Sequence, residues 1–302
     1  MIEAHGLTKR YGNRLAVDDL SFTVEPGGVT GFLGPNGSGK STAMRLLLGL
    51  DRPNAGHATF DGKPYSSYRQ PLREVGALLD AAYVHPTRTA RAHLRALALS
   101  NSLDAHRVDE VLAMVGLTEV AGKRVGAFSL GMKQRLGIAA AMLGDPRTLL
   151  FDEPANGLDP EGMRWIREFL KALAAQGRAV FVSSHLLSEV SLMADRLVVI
   201  GRGRLISSGT VGDFVGRFAH ASVRVVSPGM ATLSSLLAAR GATLQFENPN
   251  AAYVGGLPAR DIGEIAAANG IVLHELAPQV GSLEEAYLQV TNAATEYRGA
   301  PK

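Results

Sequence analysis

The chain has 302 residues, 46% hydrophobic and 20% charged, enough for one large domain and a smaller one. Its 31 basic and 28 acidic residues leave a formal charge of +3 spread along the sequence rather than massed in a run, which argues against a dedicated nucleic-acid binder. With no cysteine, disulfides and thiolate metal sites are excluded.

The N-terminal stretch MIEAHGLTKRYG lacks the apolar region of a secretory signal. The most apolar run, LGIAAAMLG at 136–144, is far short of the roughly 20 residues that cross a bilayer, so a soluble chain is expected. Alternation in LAVDDLSFTV (15–24) predicts a strand, and VTGFLG (29–34) predicts a second that runs into a Gly-rich turn and the apolar helix STAMRLLLGL. HATFDG reads as a strand and turn, and TARAHLRALALS and VDEVLAMVGL read as amphipathic helices. A helix over 131–144 precedes the apolar strand TLLFDEP, which is followed by a helix (160–175), the strand AVFVSSH, a helix (186–193) and the strand DRLVVIGRG. Apolar strands alternating with helices predict a mostly parallel sheet covered on both faces, with a helical insert at about 85–130.

Near residue 212 the pattern changes. Strand (221–226), helix (230–240), two strands (243–247 and 251–254), helix (258–269), strand (271–276) and a last helix (281–291) follow. That βαββαβ order fits a small ferredoxin-like α+β module, giving domains of 1–212 and 213–302.

The loop GPNGSGKST comprises Gly34, Pro35, Asn36, Gly37, Ser38, Gly39, Lys40, Ser41 and Thr42, and matches G-x-x-x-x-G-K-[ST] between a strand and a helix. Glycines there let backbone amides converge on phosphate oxygens, with the helix dipole adding favourable charge. Lys40 would meet the β- and γ-phosphates of a nucleotide and Ser41 would ligate Mg²⁺. Such a loop needs acids for the metal and the water. TLLFDEP offers Asp152 for the Mg²⁺ shell and Glu153 to polarise the attacking water, which points to hydrolysis rather than binding alone.

Taken together, these elements make residues 2 to about 210 resemble the nucleotide-binding subunit of an ATP-binding cassette (ABC) transporter. GPNGSGKST is similar to its Walker A loop, LLFDEP to its Walker B strand, GLDP (157–160) to its D-loop, and His185 in SSHLL to its switch histidine. FSLGMKQR (128–135) stands where the family carries its signature, and Tyr11 where it places an aromatic that stacks on adenine. The resemblance implies a P-loop NTPase cassette with an antiparallel β part, ATP and Mg²⁺ as ligands, and two chains paired head to tail. Ser129, Gly131 and Met132 of one chain would then approach the γ-phosphate held by the other, and Asn156, Gly157, Leu158 and Asp159 would lie at the dimer interface. Asp159 also suits the N-cap of the helix that starts at Pro160.

Two departures qualify the match. Where many members carry a metal-contacting glutamine, this chain reads VGALLDAAYVHP, and Asp80 at that place is either a Mg²⁺-shell ligand or a plain strand-end aspartate. The usual signature has two consecutive glycines, whereas Leu130 and Met132 here flank one; a positive φ at Leu130 would cost about 1 kcal/mol. The segment AAYVHPTRTARAH would face a separate transmembrane permease. The C-terminal module resembles extensions of drug, antibiotic-peptide and polysaccharide exporters and reads as a stabilising or dimerising appendage. The implied activity is ATP hydrolysis that powers export, peripheral to the inner face of the membrane. A non-transport cassette ATPase and an ATP-binding switch are the alternatives; no heptad run separates Lys40 from Asp152, and Glu153 disfavours the switch.

Overall fold

The computed structural model describes residues 1–80, 83–218, 222–279 and 281–291, and the chain divides into a unit built on Met1–Val211 and a second, Gly212–Val290. In the first, β1 (Ile2–Tyr11) turns at Gly12–Asn13 into β2 (Arg14–Val24). Next come β3 (Val29–Leu33), α1 (Lys40–Leu47) and β4 (Ala55–Phe60), which pairs with the free side of β1 to give the antiparallel order β2-β1-β4. Then follow α2 (Pro71–Glu74), β5 (Val75–Leu78), the insert helices α3 (Ala90–Ser100) and α4 (Arg107–Met114), α5 (Leu130–Met142) and β6 (Thr148–Asp152). The unit closes with α6 (Pro160–Ala175), β7 (Ala179–Ser183), α7 (Leu187–Met193) and the hairpin of β8 (Arg196–Gly201) and β9 (Arg204–Thr210).

The large sheet runs β5-β6-β7-β3-β8-β9 and is parallel except for β8–β9. β3 and β7 are buried at every position, as apolar strands covered on both faces must be. Phe22 of the antiparallel layer meets Phe32 and Phe181 of the parallel sheet, ring centroids lying 4.9 to 5.8 Å apart. Each such ring stabilises the fold by about 2–3 kcal/mol through burial. The register aligns Phe32 and Asp152 with Ser183, so the loops leaving β3, β6 and β7 emerge side by side at the carboxyl edge. Open α/β sheets bind their ligands at that edge.

α8 (Val211–Phe218) leads to β10 (Ser222–Val226), α9 (Met230–Ala238), β11 (Thr243–Asn248), β12 (Ala251–Gly255), α10 (Ala259–Ala268), β13 (Glu275–Gln279) and α11 (Leu283–Thr291). The sheet order is β11-β12-β10-β13 with antiparallel neighbours throughout, over a core that includes Val223, Val225, Leu233, Val254 and Ile262. The last strand lies later than the apolar run 271–276 suggests. Ile271 and Leu273 pack onto the core as irregular chain, and the ladder starts only at Val226↔Glu275. Val272, between Ile271 and Leu273, is exposed, so apolar content there reports partial packing of alternate residues, not pairing. Residues 81 and 82 of the segment expected to face a permease, residue 221, and residues 292–302 of the C-terminal module lie outside the described residues. Among the described residues no helix is long and apolar enough to cross a membrane.

Candidate nucleotide site

The loop after β3 closes on α1 through Gly39, whose φ is 102° and whose Cβ, if it had one, would stand 2.4 Å from the Ala16 carbonyl oxygen. Only glycine fits there. No side chain caps α1, so the amides of its first turn, at Lys40, Ser41 and Thr42, are left for an anion. Lys40 is buried, and Nζ donates to the carbonyls of Gly34 at 2.6 Å and Pro35 at 3.3 Å. Burial pushes its pKa down, and the nearby Glu153 and Asp152 carboxylates pull it back up. The Ser38 hydroxyl is buried with no hydrogen-bond partner. A group left so costs about 1–3 kcal/mol, a cost that a phosphate oxygen would remove. The loop therefore fits a phosphate chain.

The acidic end is organised by a residue the sequence reading passed over. Ser183, at the end of β7, donates its hydroxyl to Asp152 Oδ1 and accepts the Glu153 amide at 3.0 Å. It thus fixes both acids. Glu153 has φ 51°, a left-handed conformation that costs a non-glycine residue about 1–2 kcal/mol. Its amide is held by Ser183, and its carbonyl accepts from Gln134 Nε2 at 3.0 Å. His185 Nδ1 stands 2.6 Å from Glu153 Oε2, which also accepts the His185 backbone amide at 3.3 Å. Strain at a residue so tied marks a place where orientation matters more than local comfort.

A cavity of about 790 Å³ joins these parts. Its wall carries Tyr11, residues 36–42, Asp80, Asp152, Glu153 and Asn156. Gly34 and Pro35 lie behind it as acceptors for Lys40, and His185 reaches it only through Glu153. Asp80, two residues past Leu78 of β5, lies across from the Walker B strand because Leu78 pairs with Phe151. The sequence reading missed Arg14, Leu130, Lys133 and Gln134 on this wall. Gln134 is a buried amide between Lys133 and Arg135 on α5, and nothing in that polar run announced its burial.

A family model described as ABC transporter matches residues 17–156, and a model of a domain of unknown function matches residues 221–284. The uncharacterized ABC transporter ATP-binding protein YdbJ of Bacillus subtilis is 32% identical over 302 residues, spanning 98% of this chain and 97% of its own. The chain belongs to the ABC transporter family as an ATP-binding subunit. The uncharacterized ABC transporter ATP-binding protein YhcH of Bacillus subtilis is 41% identical over 70% of this chain and 71% of its own. The bacitracin transport ATP-binding protein BcrA of Bacillus licheniformis is also 41% identical, over 68% of each chain. A solved ATP-binding subunit of an ABC transporter superposes with TM-score 0.66 at 27% identity, covering 72% of this chain and 93% of that one. A bacterial ABC cassette solved as a dimer has the same fold, with TM-score 0.64 at 23% identity over 70% of this chain and 98% of that one. This ABC subunit binds and hydrolyses ATP and powers transport by a partner permease.

In the ABC subunit the signature stretch begins α5. Ser129 is the N-cap, and its hydroxyl accepts the Met132 amide at 3.2 Å. The question of a positive φ at Leu130 is settled: it is the first helical residue of α5, so that cost does not arise. Leu130 instead leans over the D-loop. A Cβ on Gly157, whose φ is 73°, would fall 2.1 Å from Leu130 Cδ2, and a Cβ on Gly131 would fall 3.2 Å from Leu158 Cδ2. Each glycine thus receives the other segment's leucine. Asp159 caps α6, its Oδ1 accepting the Gly162 amide at 2.9 Å, with Pro160 at the first helical position. Arg135 of α5 lies 4.3 Å over the ring of Trp165 on α6, a second link between the two helices. Ser129, Gly131 and Met132 are not on the wall of their own chain's cavity.

Proposed function

We propose that this chain hydrolyses MgATP at a site shared with a second copy of itself and drives export of drugs or peptide antibiotics through a separate permease. The observation that carries the reading is the meeting, at one carboxyl edge, of the phosphate loop with the Ser183-tied pair Asp152 and Glu153. Lys40 and the amides of residues 37–42 hold the β- and γ-phosphates, and Tyr11 stacks on the base. Ser41 and Asp152, with Asp80 at the rim, supply a hydroxyl and carboxylates suited to a hard cation that keeps several waters. Mg²⁺, when bound, neutralises charge on the β- and γ-phosphate oxygens.

Glu153 accepts a proton from the attacking water, and His185, behind it, holds that carboxylate and would have to turn from it to meet the γ-phosphate. Water attacks in line as the ADP oxygen departs, with no residue placed as a covalent acceptor, so configuration at phosphorus inverts. Ser129, Gly131 and Met132 serve the partner copy's nucleotide, which accounts for their place off the cavity of their own chain. Asn156 to Asp159 lie at the same dimer face. Similarity to a bacitracin transport protein supports the cargo class, and the permease would hold the chain at the cytoplasmic face of the membrane. The second unit acts as an accessory module for stability or pairing.

Phosphate release by the Glu153→Gln variant tests the chemistry. Turnover falls by about 10²–10⁴-fold while ATP affinity stays within about threefold. Unchanged turnover would remove Glu153 from its role.

A further inference from the structure

The tyrosine at the edge of the cavity is held from behind. Tyr11 Oη donates to Asp51 Oδ2 at 2.6 Å, and Asp51 also accepts from Arg45 Nε at 2.8 Å and Arg45 Nη2 at 3.1 Å. Arg45 belongs to the last turn of α1, the helix whose first turn carries Lys40, Ser41 and Thr42. Lys9 Nζ stands 5.1 Å from the centre of the Tyr11 ring and donates to the Arg52 carbonyl at 2.6 Å, which ties the hairpin to the chain just past α1. Neither Lys9, Arg45 nor Asp51 is on the cavity wall, whereas Tyr11 is, and Tyr11 remains 46% exposed.

An exposed tyrosine beside a hairpin turn ordinarily samples several rotamers, and ordering it on binding weakens affinity. Here the ring is already fixed at its hydroxyl and carries a cation over its face. The Arg45 guanidinium and the Tyr11 hydroxyl hold the Asp51 carboxyl at about 2, so the acceptor persists at every physiological pH. The same bond raises the Tyr11 phenol above its ordinary value, which keeps it a donor.

We propose that Asp51 is a positioning residue for the nucleotide: it presets the Tyr11 ring as a platform for the base and joins that platform, through Arg45, to the helix of the phosphate loop. Asp51 acts through Tyr11 and touches no reacting atom. The proposal rests on the reading of Tyr11 as the residue that stacks on adenine.

The test is calorimetric ATP binding and steady-state turnover of the full chain as Asp51→Ala, Tyr11→Phe, their double variant and Tyr11→Ala. Asp51→Ala raises Kd and KM by about two- to tenfold, with kcat within about twofold. The double variant with Tyr11→Phe is no worse than the weaker single, because both changes remove one link. Tyr11→Ala weakens binding at least as much. If Tyr11→Ala weakens binding and Asp51→Ala does not, the positioning role is overturned and the stacking role stands. If the two single effects add in the double, Asp51 acts by another route and the proposal fails. If Tyr11→Ala leaves affinity unchanged, the stacking reading falls and takes the proposal with it.

Discussion

At the phosphate end of the cavity, side chains are fixed by their own chain: Lys40 on the carbonyls of Gly34 and Pro35, Asp152 and Glu153 on Ser183, and the Glu153 carboxylate on His185. At the FSLGMKQR end the arrangement is different. Ser129 caps its own helix, Leu130 is 55% exposed and meets Gly157, Gly131 meets Leu158, and Gln134 ties the stretch to the Glu153 carbonyl. The first region is organised as a reaction centre, with strain at Glu153 and an unserved Ser38 hydroxyl as its marks. The second is braced by a neighbouring loop: Leu130, Lys133 and Gln134 line the chain's own cavity, whereas Ser129, Gly131 and Met132 do not. Under the proposed function, Ser129, Gly131 and Met132, which lie off their own cavity wall, complete the site of a second copy.

The comparison can be broken most severely at the phosphate end. Replacing Lys40 with Ala removes the buried cation that the proposed function assigns to the phosphates, and ATP affinity falls by at least about 100-fold in calorimetry. Retained affinity would move the phosphates elsewhere. A smaller effect sharpens the other side. Gly157→Ala forces an L-residue into the left-handed region and drives its methyl into Leu130, destabilising the first unit by about 2–4 kcal/mol. Fluorescence of the single tryptophan, Trp165, during urea unfolding reads this directly, since Trp165 lies on α6 under Arg135 of the signature helix. Adding Leu130→Ala recovers the steric part and leaves the backbone part. Fully additive losses would deny the leucine–glycine fit.

The cassette was legible because its strongest signals are local. The phosphate loop follows an apolar strand and opens a helix within GPNGSGKST, and TLLFDEP ends a buried strand in two acids, so spacing alone implied both ends of the reaction. Ser183 was not legible, because its role comes from register: only the pairing of β6 with β7 sets it opposite Asp152. Asp51 was hidden for the same reason, since nothing in GLDRPN announces that Tyr11, forty residues earlier, will fold against it. At Leu130 the sequence left the backbone conformation open; the helical φ and the accommodation by Gly157 of another segment become visible only in the fold. In the second unit the apolar run at 271–276 was read as a strand, but a strand is defined by its partner, and β10 engages the chain four residues later while Ile271 and Leu273 only pack partly onto the core.

The most direct test of the shared site is the mass in solution of the full-length Glu153→Gln variant, measured by sedimentation with saturating MgATP. The proposed function predicts a doubled mass with ATP, a single-chain mass with ADP, and a return to single-chain mass when Ser129→Arg is added, because the arginine obstructs the face offered to the partner's nucleotide. A variant that binds ATP fully and remains a single chain at every protein concentration tested would contradict it.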